Sequence, residues 1–257
     1  MSDWRPDELM VTEASRHIRD GDVVLVGTGL PMVAGLLAQR THAPSMCYVV
    51  ETGPVAPRVL PTPLSVSDPR VMHRAVRHGS LLDSLGGILQ RGVADVSFLG
   101  GAQVDRYANL NSTVIGDPSR PKVRLPGSGG ANDLASHSPR ILIITRHELR
   151  RFPERCDYIT SPGYLDGPDA RKRAGLPVHY PRISVITDLC VMEIDRSTGT
   201  LSVAALAPGI GFDDVQGKTG FELGRDRARL PTMEPPSSGI VELLRGELDP
   251  DGVYLKG

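Results

Sequence analysis

Asp22-Val-Val-Leu-Val-Gly-Thr-Gly29, followed by Leu30 to Arg40 and then Met46-Cys-Tyr-Val-Val-Glu51, decides how this chain folds. The first apolar run is of strand length, Gly27-Thr-Gly29 makes a turn, and Leu30 to Arg40 has helical spacing. Met46 to Val50 is a second apolar run without alternation, as expected of a parallel strand covered on both faces. Together these give a strand, turn, helix, strand opening. The class it implies is α/β, with a central, mostly parallel sheet flanked by helices.

The same pattern extends outward. Asp7 to Asp20 repeats apolar residues at helical spacing, with Pro6 ahead of it and Gly21 behind it, and predicts a first helix. Thr52 to Arg70 contains Pro54, Pro57, Pro61, Pro63 and Pro69 and little periodicity. It reads as a long loop leaving the carboxyl end of a strand, where the active-site loops of open α/β sheets gather. A helix over Leu81 to Gln90 and a strand over Asp95 to Leu99 follow. Short strands near Val114 and Val123 are expected to flank the glycine-rich Gly127-Ser-Gly-Gly130. Ile141 to Thr145 predicts another buried strand. Ser184 to Thr187, Val191 to Ile194 and Leu201 to Leu206 predict a hairpin turned at Ser197-Thr-Gly199. A helix over Ser238 to Gly246 closes the fold, and residues 1–257 read as one domain.

Composition removes several function classes. The chain has 257 residues, 40% of them hydrophobic, which is enough for a full core. A formal net charge of -1, with both signs interspersed, supplies no basic face for nucleic acid. No apolar run approaches the roughly 20 residues of a membrane span, and Met1 to Met10 carries acidic residues and no signal-like core. The expectation is a cytoplasmic protein. Cys47, Cys156 and Cys190 are odd in number and widely spaced, so they read as core thiols, and the seven histidines show no metal spacing. No metal is expected.

Glu51 follows a buried strand and precedes Thr52-Gly53-Pro54, which places its carboxylate beside a sharp turn at the carboxyl end of the sheet. That position suits a reacting group, and equally a glutamate bonded to its own loop. The first strand and turn also approach a dinucleotide fingerprint with Glu51 as the ribose ligand. However, the third glycine of that pattern falls on Met32, whose side chain blocks the close packing the glycine permits. Gly127-Ser-Gly-Gly130 ahead of Ala131-Asn-Asp133 reads either as a helix-capping turn or as converging backbone amides for an anion or oxyanion. Lys122 and Arg124 read as a solvated strand edge, with a phosphate contact as the other possibility.

Together these blocks resemble the family I CoA-transferases, and among them the B subunits of the glutaconate CoA-transferase type. The resemblance spans nearly the whole chain. It is carried by Gly27-Thr-Gly-Leu-Pro31, Thr41-His-Ala-Pro44, Val50-Glu-Thr-Gly53, Leu99-Gly-Gly-Ala-Gln-Val-Asp105, Asn109-Leu-Asn-Ser-Thr113, Pro121-Lys-Val-Arg124, Gly127-Ser-Gly-Gly-Ala-Asn132, Arg150-Arg-Phe152 and Tyr158-Ile-Thr-Ser-Pro-Gly163. It implies a CoA-transferase (NagB/RpiA-like) fold, coenzyme A as acyl-CoA substrate, exchange between small dicarboxylic or 3-oxo acids, and a separate A subunit. It makes Glu51 the catalytic nucleophile. The family has Ser or Asn where Thr52 stands, a departure that keeps a hydroxyl. Gly127, Ser128, Gly129 and Gly130 match the family's glycine-rich turn and its oxyanion and CoA-binding role, with the amides of Gly129 and Gly130 as the donors. Thr52, Gly53, Gln103, Asn109 and Asn111 are the candidate neighbours of the substrate carboxylates. A CoA-ester hydrolase or decarboxylase on the same fold, and a non-catalytic binding subunit, are the alternatives, and the retained Glu51 weighs against both.

Overall fold

The computed structural model describes residues 4–225 and 229–256. Met1 to Asp3 lie outside the described residues. The fold is mixed α/β, with mostly parallel central strands and helices against them. The chain separates into two compact units, one running to Phe98 and resuming at Glu234, the other running from Leu99 to Met233.

The first unit opens with α1 (Pro6–Arg16), β1 (Val23–Val26), α2 (Leu30–Arg40) and β2 (Cys47–Val50). β1 pairs in parallel with β2, Val23 opposite Cys47 and Val26 opposite Val50, and on its other side with β5 (Val96–Leu99). Both runs are interior, with Val24, Leu25, Tyr48, Val49 and Val50 excluded from solvent. α2 has the expected bounds because Gly29, at φ +99°, supplies a left-handed N-cap and Pro31 fits the first helical turn. α1 ends four residues before the expected end. His17, Ile18 and Asp22 donate to carbonyls three residues back, so tight turns rather than further helix carry Ile18 into the core.

The proline-rich stretch contributes a short strand, β3 (Pro54–Val55), and β4 (Arg77–His78) follows beyond it; together they extend the sheet antiparallel from β2. The helix expected at Leu81 to Gln90 is a π-helix over Leu82–Leu89. The C-terminal helix α6 (Ser238–Leu243) likewise continues as a π-turn over Leu244–Leu248. It is tied to α1 by Arg245, whose guanidinium clasps both oxygens of buried Glu8 at 2.7 and 3.0 Å.

The second unit starts with two small hairpins. β6 (Gln103–Val104) pairs with β7 (Leu110–Asn111), and β8 (Val114–Ile115) pairs with β9 (Val123–Arg124). β8 and β9 pair with each other and both precede the glycine-rich segment, whereas the sequence suggested strands on either side of it. α3 (Ala131–His137) leads into β10 (Arg140–Ile144), then α4 (Ala170–Arg173). β11 (Arg182–Ile186) runs parallel to β10. β12 (Cys190–Asp195) and β13 (Thr200–Leu206) then form the expected antiparallel hairpin turned at Ser197-Thr-Gly199. α5 (Phe212–Gln216) and β14 (Gly224–Arg225) complete the unit. Cys47 and Cys156 are half-buried and Cys190 is buried, all as free thiols.

Candidate active site

Glu51 leaves the carboxyl end of β2 in a tight turn, with the Gly53 amide donating back to the Val50 carbonyl at 2.9 Å. Gly53 is required here for two reasons. Its φ is +122°, and a Cβ on it would stand 2.1 Å from the Gly79 carbonyl oxygen. The Gly79 amide meets the Gly53 carbonyl at 3.2 Å, so the two glycines lie backbone against backbone.

Three side-chain hydroxyls fix the rest of the turn. Ser84, on the π-helix, donates to the Glu51 carbonyl. Thr52 Oγ1 donates to the Val66 carbonyl at 2.9 Å, and the Val66 amide donates to Thr28 Oγ1 at 3.2 Å. Val66 therefore staples the turn after β2 to the Gly27-Thr-Gly29 turn after β1. The Glu51 carbonyl is held by Ser84, while its half-buried carboxylate meets no hydrogen-bond donor among the described residues. That leaves a positioned carboxylate with its oxygen lone pairs unspent.

The second unit holds the glycine-rich turn. Gly127 and Gly129 have φ of +95° and +51°. Gly127 is fixed by its amide on the Ser112 carbonyl at 2.8 Å and by Ser112 Oγ on its own carbonyl at 2.9 Å. Ser128 caps α3, with Oγ accepting from the Asn132 amide at 3.0 Å and the Ser128 carbonyl from Ala131 at 3.0 Å. The amides of Gly129 and Gly130 find no acceptor among the described residues. Both readings of the turn thus have a physical basis: it caps a helix and it presents two free donors.

Gln103, Asn109 and Asn111 are in a different condition. Asn109 is fully buried, its Oδ1 accepting from the Gly163 and Leu165 amides at 2.8 and 3.0 Å and its Nδ2 donating to Asp105 and the Leu165 carbonyl. Asn111, also fully buried, donates to Gln103 Oε1 and the Val114 carbonyl and accepts from Thr113 and Val114. Gln103 Oε1 accepts further from the Asp157 amide at 3.0 Å. These three amides bond the protein to itself. Asp105, which binds Asn109 and the Tyr107 amide, has its carboxyl lifted above the usual range by burial.

Sequence reasoning missed the residue that braces this region. Arg171 is fully buried and faces five carbonyls: Val178, Pro162, Gly163, Ala135 and Ser136. It joins the end of α3 to the Pro162-Gly163 segment, where a Cβ on Gly163 would clash with the Ala108 backbone at 2.3 Å. Nothing in the run Ala170-Arg-Lys-Arg173 separates it from its solvated neighbours. Burial lowers its pKa to about 10.

His147 is the other buried group the sequence left unassigned. It stacks on Phe152 with ring centroids 4.3 Å apart and lies between Thr187 Oγ1 at 3.2 Å and Thr219 Oγ1 at 3.0 Å. Burial pulls its pKa down to about 4. Among the described residues no group of three His, Cys, Asp or Glu side chains is placed to hold a metal ion. No described helix is long and apolar enough to cross a membrane.

The family model described as "Coenzyme A transferase" matches residues 8–218. The chain is 37% identical to the B subunit of glutaconate CoA-transferase from Acidaminococcus fermentans over 97% of its own length and 94% of the relative's. It is 38% identical to the B subunit of 3-oxoadipate CoA-transferase from Pseudomonas knackmussii over 95% and 94% of the two chains. The crystal structure of the Acidaminococcus fermentans glutaconate enzyme superposes with a TM-score of 0.92, at 36% identity and 98% coverage of each chain. The chain belongs to the coenzyme A transferase family.

Proposed function

We propose that this chain is the glutamate-bearing B subunit of a heteromeric CoA-transferase, residues 1–257 working as one catalytic domain in the cytoplasm together with a separate A subunit. Its substrates are acyl-CoA thioesters and small dicarboxylic or 3-oxo acids. Nucleic acid and membrane have no part in it.

The observation that carries this reading is the Glu51 turn. A carboxylate is a nucleophile without help from a base, so a site lacking a triad can still form covalent intermediates. Glu51 attacks the thioester carbonyl of the donor, expelling CoA thiolate and giving a mixed anhydride. The thiolate then adds to the glutamyl carbonyl, which releases the donor as its free carboxylate and leaves a Glu51-CoA thioester. The acceptor carboxylate repeats both steps in reverse and departs as the new acyl-CoA. Bonds and charges balance without any further reactant.

Each attack generates a tetrahedral oxyanion. The amides of Gly129 and Gly130 are donors of the required kind, and one such donor contributes roughly 100-fold or more in rate. Thr52 and Gly53 set the angle of the carboxylate, and Gln103, Asn109 and Asn111 serve this reading as residues that hold backbone in place. The test is exchange between an acyl-CoA and a second acid, measured on the chain copurified with an A-type subunit. Glu51→Gln abolishes exchange if the reading holds. Consumption of acyl-CoA at the same rate with and without an acceptor acid would favour a hydrolase or decarboxylase instead.

A further inference from the structure

The first unit contains a cavity of about 460 Å³ whose lining includes none of Glu51, Thr52 and Gly53. It is bounded by the C-terminal end of α2, by Pro44 ahead of β2, by the proline-rich segment around Arg58 and by His73 and Arg74 just beyond that segment. β2 runs from Cys47 to Val50 before Glu51, so the cavity opens at the amino end of that strand. At a strand rise of about 3.3 Å per residue, roughly 13 Å of strand separates it from the Glu51 turn.

Its lining is two-sided. Leu36, Val59 and Leu60 give an apolar wall, whereas Arg58 and Arg74, beside His73, give a cationic one. Arg40 also faces the cavity, but its charge is answered by Glu247 at 2.6 Å. Arg58 and Arg74 are exposed and neither has a carboxylate partner among the described residues. The two are held near each other by the Arg58 amide, which donates to the His73 carbonyl at 3.0 Å. Arg74 adopts φ +51°, an unfavourable backbone for a residue with a side chain, and such strain concentrates at ligand-binding positions.

Two unpaired guanidiniums beside an apolar wall, in a space of ordinary ligand-pocket size, match an organic phosphate carrying a ring. We propose that this cavity is a second binding site, specific for a phosphorylated nucleotide and separate from the Glu51 turn. Arg58 and Arg74 take the phosphate, and Leu36 and Leu60 take the base or sugar face. The nucleotide has two possible sources, a free adenine nucleotide or the 3′-phosphorylated nucleotide end of coenzyme A.

The experiment is calorimetric titration of the chain, copurified with an A-type subunit, with ADP, adenosine 3′,5′-bisphosphate and unphosphorylated adenosine. Both phosphorylated probes are expected to bind saturably and adenosine not to bind. The double variant Arg58→Gln with Arg74→Gln should weaken binding tenfold or more, Arg58→Lys with Arg74→Lys should recover part of it, and Glu51→Ala should leave it unchanged. A tenfold preference for the bisphosphate identifies the coenzyme A end as the source, and equal affinity identifies free nucleotide. No saturable binding, or binding that the double Gln variant leaves intact, overturns the proposal. So does loss of the A-type subunit from the double Gln variant without any nucleotide binding by the parent, which would make the face a subunit contact. Circular dichroism of the variants separates these outcomes from misfolding.

Discussion

The turn at Glu51 and the buried network around Asn109 use polar residues in opposite ways. At Glu51 the turn is fixed through Ser84, Thr52 and Gly53, and the carboxylate is left over among the described residues. Around Asn109 the side chains themselves are consumed, bridging Asp105, Gly163 and Leu165. One region spends its backbone to free a side chain, the other spends side chains to fix backbone. Substitution should therefore cost activity in the first and stability in the second.

Glu51→Ala is the sharpest way to break that contrast. Loss of a covalent nucleophile is expected to lower exchange on the order of 10⁴-fold or more, with the melting temperature nearly unchanged. A large drop in melting temperature in that variant would erase the distinction.

Arg171→Met should do the reverse. It removes the guanidinium from five carbonyls, of which Ser136 keeps the Val178 amide, and each buried carbonyl left unpaired costs about 1–3 kcal/mol, read as a lower denaturation midpoint. Activity per folded molecule should fall much less.

His147 adds a pH test to the stabilising side. Burial holds its folded-state pKa at about 4, below the ordinary 6.5, because the charged form is disfavoured. Above pH 6.5 neither state is protonated and the full stability is present. As the pH falls from 6.5 toward 4 the unfolded chain takes up the proton first, and about 3 kcal/mol is lost across that window. Urea unfolding at stepped pH reads this directly, and His147→Gln should flatten the dependence there.

Thr52→Val sharpens the comparison at its weakest point. It removes one hydroxyl bond to the Val66 carbonyl and should cost about 1 kcal/mol, while the less firmly held turn slows exchange several-fold. An unchanged rate would show that Gly53 and Ser84 suffice to hold Glu51.

The strand, turn and helix opening was legible because continuous apolar runs, a left-handed glycine and a proline at a helix start all act locally. The position of Glu51 followed from the same local signals. What the sequence could not show lies in long-range pairing. The contact of Gly53 with Gly79 and the staple of Thr28 and Thr52 through Val66 depend on how distant segments meet. Arg171 was invisible because its partners are carbonyls, which any residue supplies, and its neighbours Lys172 and Arg173 suggest a solvated face. Gln103, Asn109 and Asn111 read as pocket residues because amides suit substrate carboxylates, whereas burial turns them to neighbouring backbone. The early end of α1 reflects apolar spacing that tight turns satisfy as well as a helix does.

The central claim is covalent transfer through Glu51. The most direct measurement incubates the chain and its A-type subunit with an acyl-CoA, traps with borohydride or hydroxylamine, and maps the modified peptide by mass spectrometry. The account expects an acyl-CoA-dependent mark on Glu51 that vanishes in Glu51→Ala. Exchange activity that proceeds with Glu51 unmarked, or that survives its replacement by alanine, would contradict it.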